Sequence, residues 1–227
     1  SRDWSSDVCS SDLPIFTKIN KKQRIVIPLL QFIYEQLYNL EFRDYCFVVG
    51  REKRSIEDHF TPHDEYIKKL NLEQKLTISP FYKKIHNSNL VWINQNKPMG
   101  FGDAVKRTEQ YVGKFDMILH AGDVAVIGKH SHPISRMISV AKNDSSISAV
   151  LLCKKVKNSK MYGVPKISKI SKNIFHVEEV EEKPLNPKSK FGLLPIYYFR
   201  PKIFECLRRI KPGKNNEFQF FCTNYIF

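Results

Sequence analysis

The sequence has no apolar run long enough to cross a membrane, since stretches such as Cys46–Val49 and Met117–Leu119 stop far short of the ~18 residues that a spanning helix needs. The five cysteines include no C-x-x-C pair. This argues against a disulfide framework or a Cys-rich zinc site and favours a reducing cytoplasm. Internal repeats and low-complexity tracts are also absent, which leaves an ordinary globular protein.

The composition fits that class. The chain has 227 residues, of which 42% are hydrophobic and 26% charged, enough to bury a core as one domain or two small ones. Lys and Arg outnumber Asp and Glu by 37 to 23, giving a net charge of +14. Such an excess suits either a nucleic acid or an anionic substrate such as a phosphate. The lysines are scattered and not interleaved with aromatic residues on one strand, which argues against a nucleic-acid-binding domain.

The hydrophobic pattern predicts two halves of different character. In the first half, helices alternate with short apolar strands: we predict helices opening at Pro28 and over 63–72, 103–111 and 133–141, and strands over 45–49, 90–93, 116–120 and 147–153. The second half is rich in strands, predicted over 162–167, 174–180 and 193–199, with one helix near 201–210. This order predicts an α/β sheet with a mixed extension.

Three segments follow predicted strands, and in a parallel α/β sheet ligands collect at the carboxyl ends of the strands. In the first segment, Gly100 and Gly102 let main-chain amides approach a flat ligand closely. The amide of Gln95 both donates and accepts, which suits the edge of a pyrimidine base. The same segment also fits a plain connection into a helix whose N-cap we expect at Asp103.

The second and third segments carry charged residues. Asp123 comes directly after an apolar strand and beside a glycine, where a lone carboxylate can hold Mg²⁺ with phosphate oxygens completing the shell or can simply cap a turn. Glu182 and Lys183 end the third strand. There a carboxylate for sugar hydroxyls stands beside a cation for a phosphate, although solvated charges on an edge strand would look the same.

Histidine and cysteine provide weaker candidates. His59 and His63 have H-x-x-x-H spacing, but Phe60 stands where a zinc protease has its catalytic Glu, so a zinc site is not expected there. Cys46 and Cys153 lie in predicted strand cores, where we expect them to be packing residues.

The order of these pieces resembles the sugar-1-phosphate nucleotidylyltransferases, most closely the UTP–glucose-1-phosphate uridylyltransferases and their thymidylyltransferase relatives. The resemblance covers roughly residues 13–219 and rests on P-L-L-Q-F-I-Y-E-Q-L (28–37), V-V-G-R-E-K-R-S-I-E-D-H-F (48–60), Q-N-K-P-M-G-F-G-D-A-V (95–105), L-H-A-G-D-V (119–124), Y-G (162–163), V-E-E-K-P (180–184) and I-K-P-G-K-N-N-E-F-Q (210–219). Several motifs in the right order are far more specific than any one of them.

The resemblance implies an enzyme that joins a nucleoside triphosphate to a sugar 1-phosphate and releases pyrophosphate, with UDP-glucose as the expected product. It also implies a Rossmann-like, three-layer α/β fold with a mixed sheet. Carried over residue by residue, it assigns the base to Gln95 and Gly100, Mg²⁺ to Asp123, the sugar to Gly163 and Glu182, and the sugar phosphate to Lys183 as the catalytic residue.

The sequence departs from the family pattern at both ends. The family opens with a strand and a G-x-G-T-R loop for the triphosphate, followed by a P-K pair, whereas no glycine precedes Gly50 here. Glu217–Asn224 stands in place of the family's E-x-Q-L-T-D, and its second metal-binding Asp is missing. We therefore expect a chain truncated at both ends, without the first strand and phosphate loop, that does not turn over substrate.

Two further expectations concern the N-terminal region. Residues 1–12, SRDWSSDVCSSD, carry five Ser and three Asp and resemble translated sequencing adapter, so we expect a non-native segment followed by a single, incomplete nucleotidyltransferase domain over 13–227. Residues 17–27 are longer than the family's usual link before the first helix, which predicts a small inserted hairpin.

Alternatives remain open at this point. The sequence does not separate uracil from thymine, so a glucose-1-phosphate thymidylyltransferase is one alternative, and a non-catalytic module that binds sugar nucleotides is another. The expected partners are a nucleoside triphosphate and a sugar 1-phosphate, with no membrane and no nucleic acid. The resemblance further implies a cytoplasmic homo-oligomer when the protein is intact.

Overall fold

The computed structural model describes residues 13–18, 24–50, 53–97, 99–127 and 131–209. The chain divides after Lys97 into two compact units. Within the described ranges, no helix is long and apolar enough to span a membrane. Residues 1–12 lie outside these ranges, so their predicted foreign origin stays a prediction, as does the single domain over 13–227.

The first unit opens with an antiparallel hairpin. Strands β1 (Pro14–Lys18) and β2 (Arg24–Pro28) pair so that Phe16 faces Val26. Side chains alternate along β2, with Ile27 buried and Val26 exposed, as expected for a strand with one covered face. A hairpin was predicted over 17–27, and the structure forms one whose strands begin earlier, at Pro14, and end at Pro28; that it is an insertion relative to the family stays a prediction.

The hairpin leads into a parallel pair of strands wrapped by helices. Helix α1 (Leu29–Asn39) follows Pro28 directly, and β3 (Asp44–Val49) pairs in parallel with β4 (Asn89–Asn94). Between these strands run the helices α2 (Arg54–His59), α3 (Asp64–Lys69) and α4 (Leu72–His86). The core of this unit is largely aromatic and consists of Tyr34, Tyr45, Ile56, Phe60, Phe81 and Ile85.

The helices between β3 and β4 differ from the prediction. A single helix was expected over 63–72, whereas the chain forms three, and α4 is the longest of them with 15 residues. It begins with a capping box between Asn71 and Gln74, a signal that marks a helix start. Its apolar residues do not form one stripe, because Leu72 and Leu76 are exposed while Phe81 and Ile85 are buried.

The second unit combines a three-stranded sheet with a long hairpin. Its elements are α5 (Phe101–Lys106), α6 (Glu109–Val112), β5 (Met117–His120), α7 (Pro133–Asn143), β6 (Ala149–Lys155), β7 (Gly163–Ser171), β8 (Ile174–Glu182), β9 (Phe191–Phe199) and α8 (Ile203–Arg209). Strand β9 lies between β5 and β6 and is antiparallel to both, while β7 and β8 form an antiparallel hairpin. The predicted strand-rich second half is confirmed.

Strand β9 forms the centre of this unit. Tyr197 and Phe199 on β9 pack with Val105 of α5 and with the buried face of α8, represented by Phe204 and Leu207. Strand β5 ends beside the middle of β9, because His120 pairs with Ile196, and β6 ends beside the start of β9, because Lys155 pairs with Phe191. The mixed α/β class predicted from the sequence is confirmed.

Candidate active site

The open end of the β7–β8 hairpin brings three of the predicted site residues together. Gly163, the first residue of β7, pairs with Glu182, the last residue of β8. A Cβ atom at Gly163 would stand 3.1 Å from Oε2 of Glu182, so the absence of a side chain leaves that space open. Lys183 follows at once, and its main-chain N–H donates to the carbonyl of Tyr162 at 3.0 Å.

The two charged residues of this group face solvent while their surroundings are packed. Glu182 and Lys183 are exposed, whereas Gly163 and Pro184 on either side are buried. Neither charged side chain forms an ion pair with a described residue. An exposed carboxylate next to an exposed ammonium on a rigid strand end can accept from hydroxyl groups and bind an anion at the same time.

Tyr197 is a neighbour of this group that the sequence analysis missed. Its ring is buried in β9, and burial together with the negative charge of Glu182 raises the pKa of the Tyr197 phenol above its ordinary value. The phenol therefore stays protonated and within electrostatic range of Glu182. The apolar pattern of the strand marks Tyr197 only as a core residue, and its electrostatic interaction with Glu182 becomes visible in the folded chain.

Asp123 lies in the turn after β5, which is fastened to β9. The N–H of Ala121 donates to the carbonyl of Pro195 at 2.9 Å, two residues before Tyr197. The Asp123 side chain is exposed. Within the described residues, no three His, Cys, Asp or Glu side chains come together as a metal-binding group. Asp123 is thus a single carboxylate at a strand end, as the sequence predicted.

Two histidines lie near this turn in neutral form. Burial lowers the pKa of His120, and the nearby His132 lowers it further, although a hydrogen bond to Ala121 opposes both effects. In that bond Nδ1 of His120 donates to the carbonyl of Ala121 at 2.8 Å. Nδ1 of His132 accepts from the N–H of Ile134 at 3.3 Å and caps α7. Both rings therefore support the backbone around β5 and α7.

Gly100 stands at the start of α5 with a φ of +91°. This backbone conformation favours glycine, because a Cβ atom would clash with the main chain. The predicted N-cap at Asp103 is wrong, since the turn at Gly100 lets the helix begin at Phe101. Asp103 instead lies in the first turn and pairs with Arg107 at 2.8 Å.

Gln95 belongs to the first unit, whereas the other five predicted residues belong to the second. It follows β4, and its N–H donates to the carbonyl of Val49 at 2.8 Å. This bond extends the parallel pairing of β3 and β4 by one step. Gln95 is half-buried and lies at the carboxyl ends of two parallel strands, the place where the sequence predicted a ligand-facing amide.

The weaker candidates make structural contacts in the described part of the chain. Nε2 of His59 lies 2.8 Å from Oε1 of Gln31, and His63 caps α3 by accepting from the N–H of Tyr66. Burial raises the pKa of the Cys46 thiol to about 11 and also raises that of Cys153. Both thiols are thus held in the unreactive, protonated form.

A cavity of about 680 Å³ lies in the second unit, between α7, β6, β9 and the hairpin. Its walls are mostly apolar, with Met137, Leu151 and Phe175 among them. None of the described residues that line it is a predicted site residue, but Val180 and Leu193 in its lining also stand within 4 Å of a Cβ atom at Gly163. The cavity therefore reaches the neighbourhood of the Gly163–Glu182 pair.

Charged side chains at strand ends of a mixed α/β fold are typical of proteins that handle phosphorylated ligands. The comparison with known families makes this class specific. The model of the nucleotidyl transferase family matches residues 13–225, and the chain belongs to this family.

Individual relatives agree with that assignment. A UTP–glucose-1-phosphate uridylyltransferase of Streptococcus pyogenes is 29% identical over 214 residues, covering 89% of this chain and 70% of the relative. A crystal structure of UDP-glucose pyrophosphorylase complexed with UDP-glucose superimposes with a TM-score of 0.78 at 22% identity, covering 93% of this chain and 75% of the other. An apo UDP-glucose pyrophosphorylase gives 0.76 at 25% identity, over 86% and 73% of the two chains. The family resemblance inferred from the motifs is confirmed.

Proposed function

We propose that this chain is a UTP–glucose-1-phosphate uridylyltransferase, acting on UTP and glucose 1-phosphate to give UDP-glucose and pyrophosphate. The observation that carries the proposal is the group formed by Gly163, Glu182 and Lys183 at the end of one hairpin, in a chain of the nucleotidyl transferase family. The UTP–glucose-1-phosphate uridylyltransferases among its relatives support the choice of base and sugar.

The reaction needs no protein nucleophile. A phosphate oxygen of glucose 1-phosphate attacks the α-phosphorus of UTP, a new P–O bond forms, and the bond between the α-phosphorus and its bridging oxygen breaks. Pyrophosphate leaves with that oxygen. Because four anionic phosphate groups meet in one place, the protein contributes mainly by aligning them and offsetting their charge.

On the sugar side, Glu182 accepts hydrogen bonds from sugar hydroxyls, and Lys183 binds the phosphate that attacks. Glu182 and Lys183 are consecutive residues, so the sugar and its phosphate are bound by the same strand end. The open space above Gly163 lets the sugar approach the backbone, because a Cβ atom there would stand 3.1 Å from the Glu182 carboxylate. Lys183 is the catalytic residue in this proposal, because it contacts the phosphate whose oxygen attacks the α-phosphorus.

On the nucleotide side, the family resemblance assigns contacts with the base to Gln95, through its amide side chain, and to Gly100, through its unobstructed main chain. Asp123 fits Mg²⁺, because this ion is commonly held by one or two carboxylates while substrate phosphates complete its shell. When bound, Mg²⁺ would neutralise phosphate charge. The proposal also includes a cytoplasmic location and a homo-oligomer in the intact protein.

Equilibrium binding tests the proposal without depending on turnover. Isothermal titration calorimetry would compare UDP-glucose, dTDP-glucose and ADP-glucose in the presence of Mg²⁺. We expect UDP-glucose to bind most tightly, with ADP-glucose as the control that keeps the sugar and changes the base to a purine. Preference for dTDP-glucose would favour a thymidylyltransferase instead, and equal binding of all three or of none would refute the proposal.

A turnover assay separates an enzyme from a binding module. Pyrophosphate release from UTP and glucose 1-phosphate would be followed with a coupled phosphate assay. Release above the rate measured without protein would support the enzymatic assignment, whereas binding of both ligands without release would favour the binding module.

A further inference from the structure

Tyr162, the residue before β7, connects Lys183 to the Gly163–Glu182 pair. Tyr162 follows a short 3-10 turn, Ser159–Met161, and its N–H donates to the carbonyl of Ser159 at 3.0 Å. Its own carbonyl accepts the N–H of Lys183 at 3.0 Å. The main chain of Tyr162 therefore holds Lys183 in place beside the Gly163–Glu182 pair.

Lys183 needs such a support because of its backbone conformation. Its φ is +46°, in the left-handed region that side chains other than glycine rarely adopt. Residues remain in this region only where the surrounding structure holds them there. The hydrogen bond from Lys183 to Tyr162 is a contact of that kind, and it determines the direction in which the Lys183 side chain leaves the backbone.

The ring of Tyr162 in turn rests on Gly192 of β9. A Cβ atom at Gly192 would lie 2.6 Å from Cγ and 2.9 Å from Cβ of Tyr162, well inside the ~3.5 Å of an ordinary carbon contact. These atoms are at the root of the side chain, so rotation of the ring cannot remove the overlap. Positive-φ glycines in the described chain are Gly100 and Gly113, so Gly192 is needed for space and not for its backbone.

Hydrogen bonds of the neighbouring residues hold Tyr162 in place, so that it cannot move away from a Cβ atom at Gly192. The hydroxyl of the buried Ser159 donates to the carbonyl of Ser189 at 3.0 Å, and the Ser189 hydroxyl donates to the carbonyl of Pro165 at 2.8 Å. The N–H of Val156 also donates to the carbonyl of Lys190 at 2.9 Å. The segment around Tyr162 is thus tied to the chain on both sides of its contact with Gly192.

We propose that Gly192 and Tyr162 are positioning residues for the sugar 1-phosphate, acting through the main chain of Lys183. Gly192 provides the space in which the Tyr162 ring packs, the packed ring fixes the Tyr162 carbonyl, and that carbonyl sets where the Lys183 ammonium meets the phosphate. The inference rests on the proposed function, since it takes Lys183 to be the phosphate-binding residue.

Gly192→Ala tests the contact, and Gly50→Ala is its matched control because a Cβ atom at Gly50 meets nothing within 4 Å. Calorimetry would measure the affinity of each variant for glucose 1-phosphate and, separately, for UTP. We expect Gly192→Ala to weaken glucose 1-phosphate binding by about tenfold, the scale of a displaced charge-assisted hydrogen bond. UTP affinity should stay within twofold, and Gly50→Ala should change neither ligand.

The contrast between the two ligands distinguishes positioning from a general loss of structure. Equal weakening of both ligands, or unchanged glucose 1-phosphate affinity, would overturn the inference. Unmodified protein that binds no glucose 1-phosphate would overturn the proposed function, and the positioning role with it. Unmodified protein that binds both ligands, with a Gly192→Ala variant weakened for both, would overturn the positioning role alone.

A second pair of variants keeps the inference testable if Gly192→Ala does not fold. Tyr162→Ala removes the ring but keeps the carbonyl, whereas Tyr162→Phe keeps the ring and removes only the hydroxyl. We expect Tyr162→Ala to weaken glucose 1-phosphate binding by about fivefold, with UTP unaffected, and Tyr162→Phe to retain the original affinity. Equal losses in the two variants would show that ring packing is not the determinant and would overturn the inference.

Discussion

The residues proposed for the sugar and those proposed for the base are held by different kinds of local structure. Gly163, Glu182 and Lys183 all belong to one hairpin and its exit, and the pairing of Gly163 with Glu182 fixes their spacing. Gln95 and Gly100 belong to different units of the chain. Gln95 is placed by a parallel strand pair and Gly100 by the start of a helix.

This difference has a consequence for specificity. The register of an antiparallel pair is fixed by its own ladder of hydrogen bonds, so the sugar side keeps its geometry as long as the hairpin is intact. A parallel pair such as β3 and β4 needs a long connection, here three helices, before its strand ends meet. Substitutions in the sugar side should therefore act locally and affect one ligand at a time.

The largest expected effect comes from the strand that underlies the sugar side. Phe199→Ala removes a fully buried ring from β9 and should lower the free energy of unfolding by about 3–5 kcal/mol. Glucose 1-phosphate binding should be lost at the denaturant concentration where this variant unfolds. Urea unfolding followed by circular dichroism measures the change.

Phe16→Ala is the control for that variant, because the Phe16 side chain is 77% exposed. The same deletion on an exposed strand should change the free energy of unfolding by no more than about 0.5 kcal/mol. Equal losses in the two variants would contradict the assignment of β9 as the centre of the second unit.

The next largest effect is a loss of glucose 1-phosphate binding without a loss of UTP binding. Lys183→Met should weaken glucose 1-phosphate binding by about 10- to 100-fold, since a hydrogen bond to a charged group contributes about 1.5–3 kcal/mol, while UTP binding stays unchanged. Lys172→Met is the matched control, because Lys172 lies at the opposite, closed end of the same hairpin. A loss with Lys172→Met, or a loss of UTP binding with Lys183→Met, would break the distinction.

A substitution of Gln95 should do the opposite and weaken nucleotide binding without affecting glucose 1-phosphate. Gln95→Ala removes the amide that we propose pairs with the base and should weaken UTP and UDP-glucose binding by about fivefold, as expected for a neutral hydrogen bond of about 1 kcal/mol. Glucose 1-phosphate binding should not change. Calorimetry provides the comparison, with Gln110→Ala at an exposed position of α6 as the control; a fivefold loss there would indicate an unspecific effect.

Much of the fold could be predicted because strong local signals agreed with the packing. The apolar runs of β3 and β4 and the Pro at the start of α7 lead to the observed elements within two residues. Helix α4 was missed because its exposed leucines break the periodicity that a buried stripe would show. The N-cap predicted at Asp103 is wrong because the chain turns at Gly100, where φ is positive, and the helix begins at Phe101. The pattern of side chains does not show this turn.

The sequence provides candidate site residues, but it does not provide the contacts that hold them in place. Motif order was enough to single out Glu182, Lys183 and Asp123 before any contact was known. The support from Tyr197, Tyr162 and Gly192 depends on which strands become neighbours, and sequence patterns do not contain that register. A buried tyrosine and a strand glycine look the same in sequence whether or not they stand behind a ligand site.

The smallest effect concerns the turn that carries Asp123, which is joined to the sheet through β5. Burial lowers the pKa of His120 and of His132, whereas in the unfolded chain both titrate near the ordinary value of about 6.5. As the pH falls below that value, the unfolded state binds more protons than the folded state, so stability decreases on acidification.

Unfolding temperatures at pH 7.5 and pH 5.5 should show this decrease in the unmodified protein. His120→Gln should reduce it by about 2 °C, and His176→Gln on the exposed part of β8 should leave it unchanged. An equal decrease in all three proteins would mean that His120 does not couple the Asp123 turn to protonation.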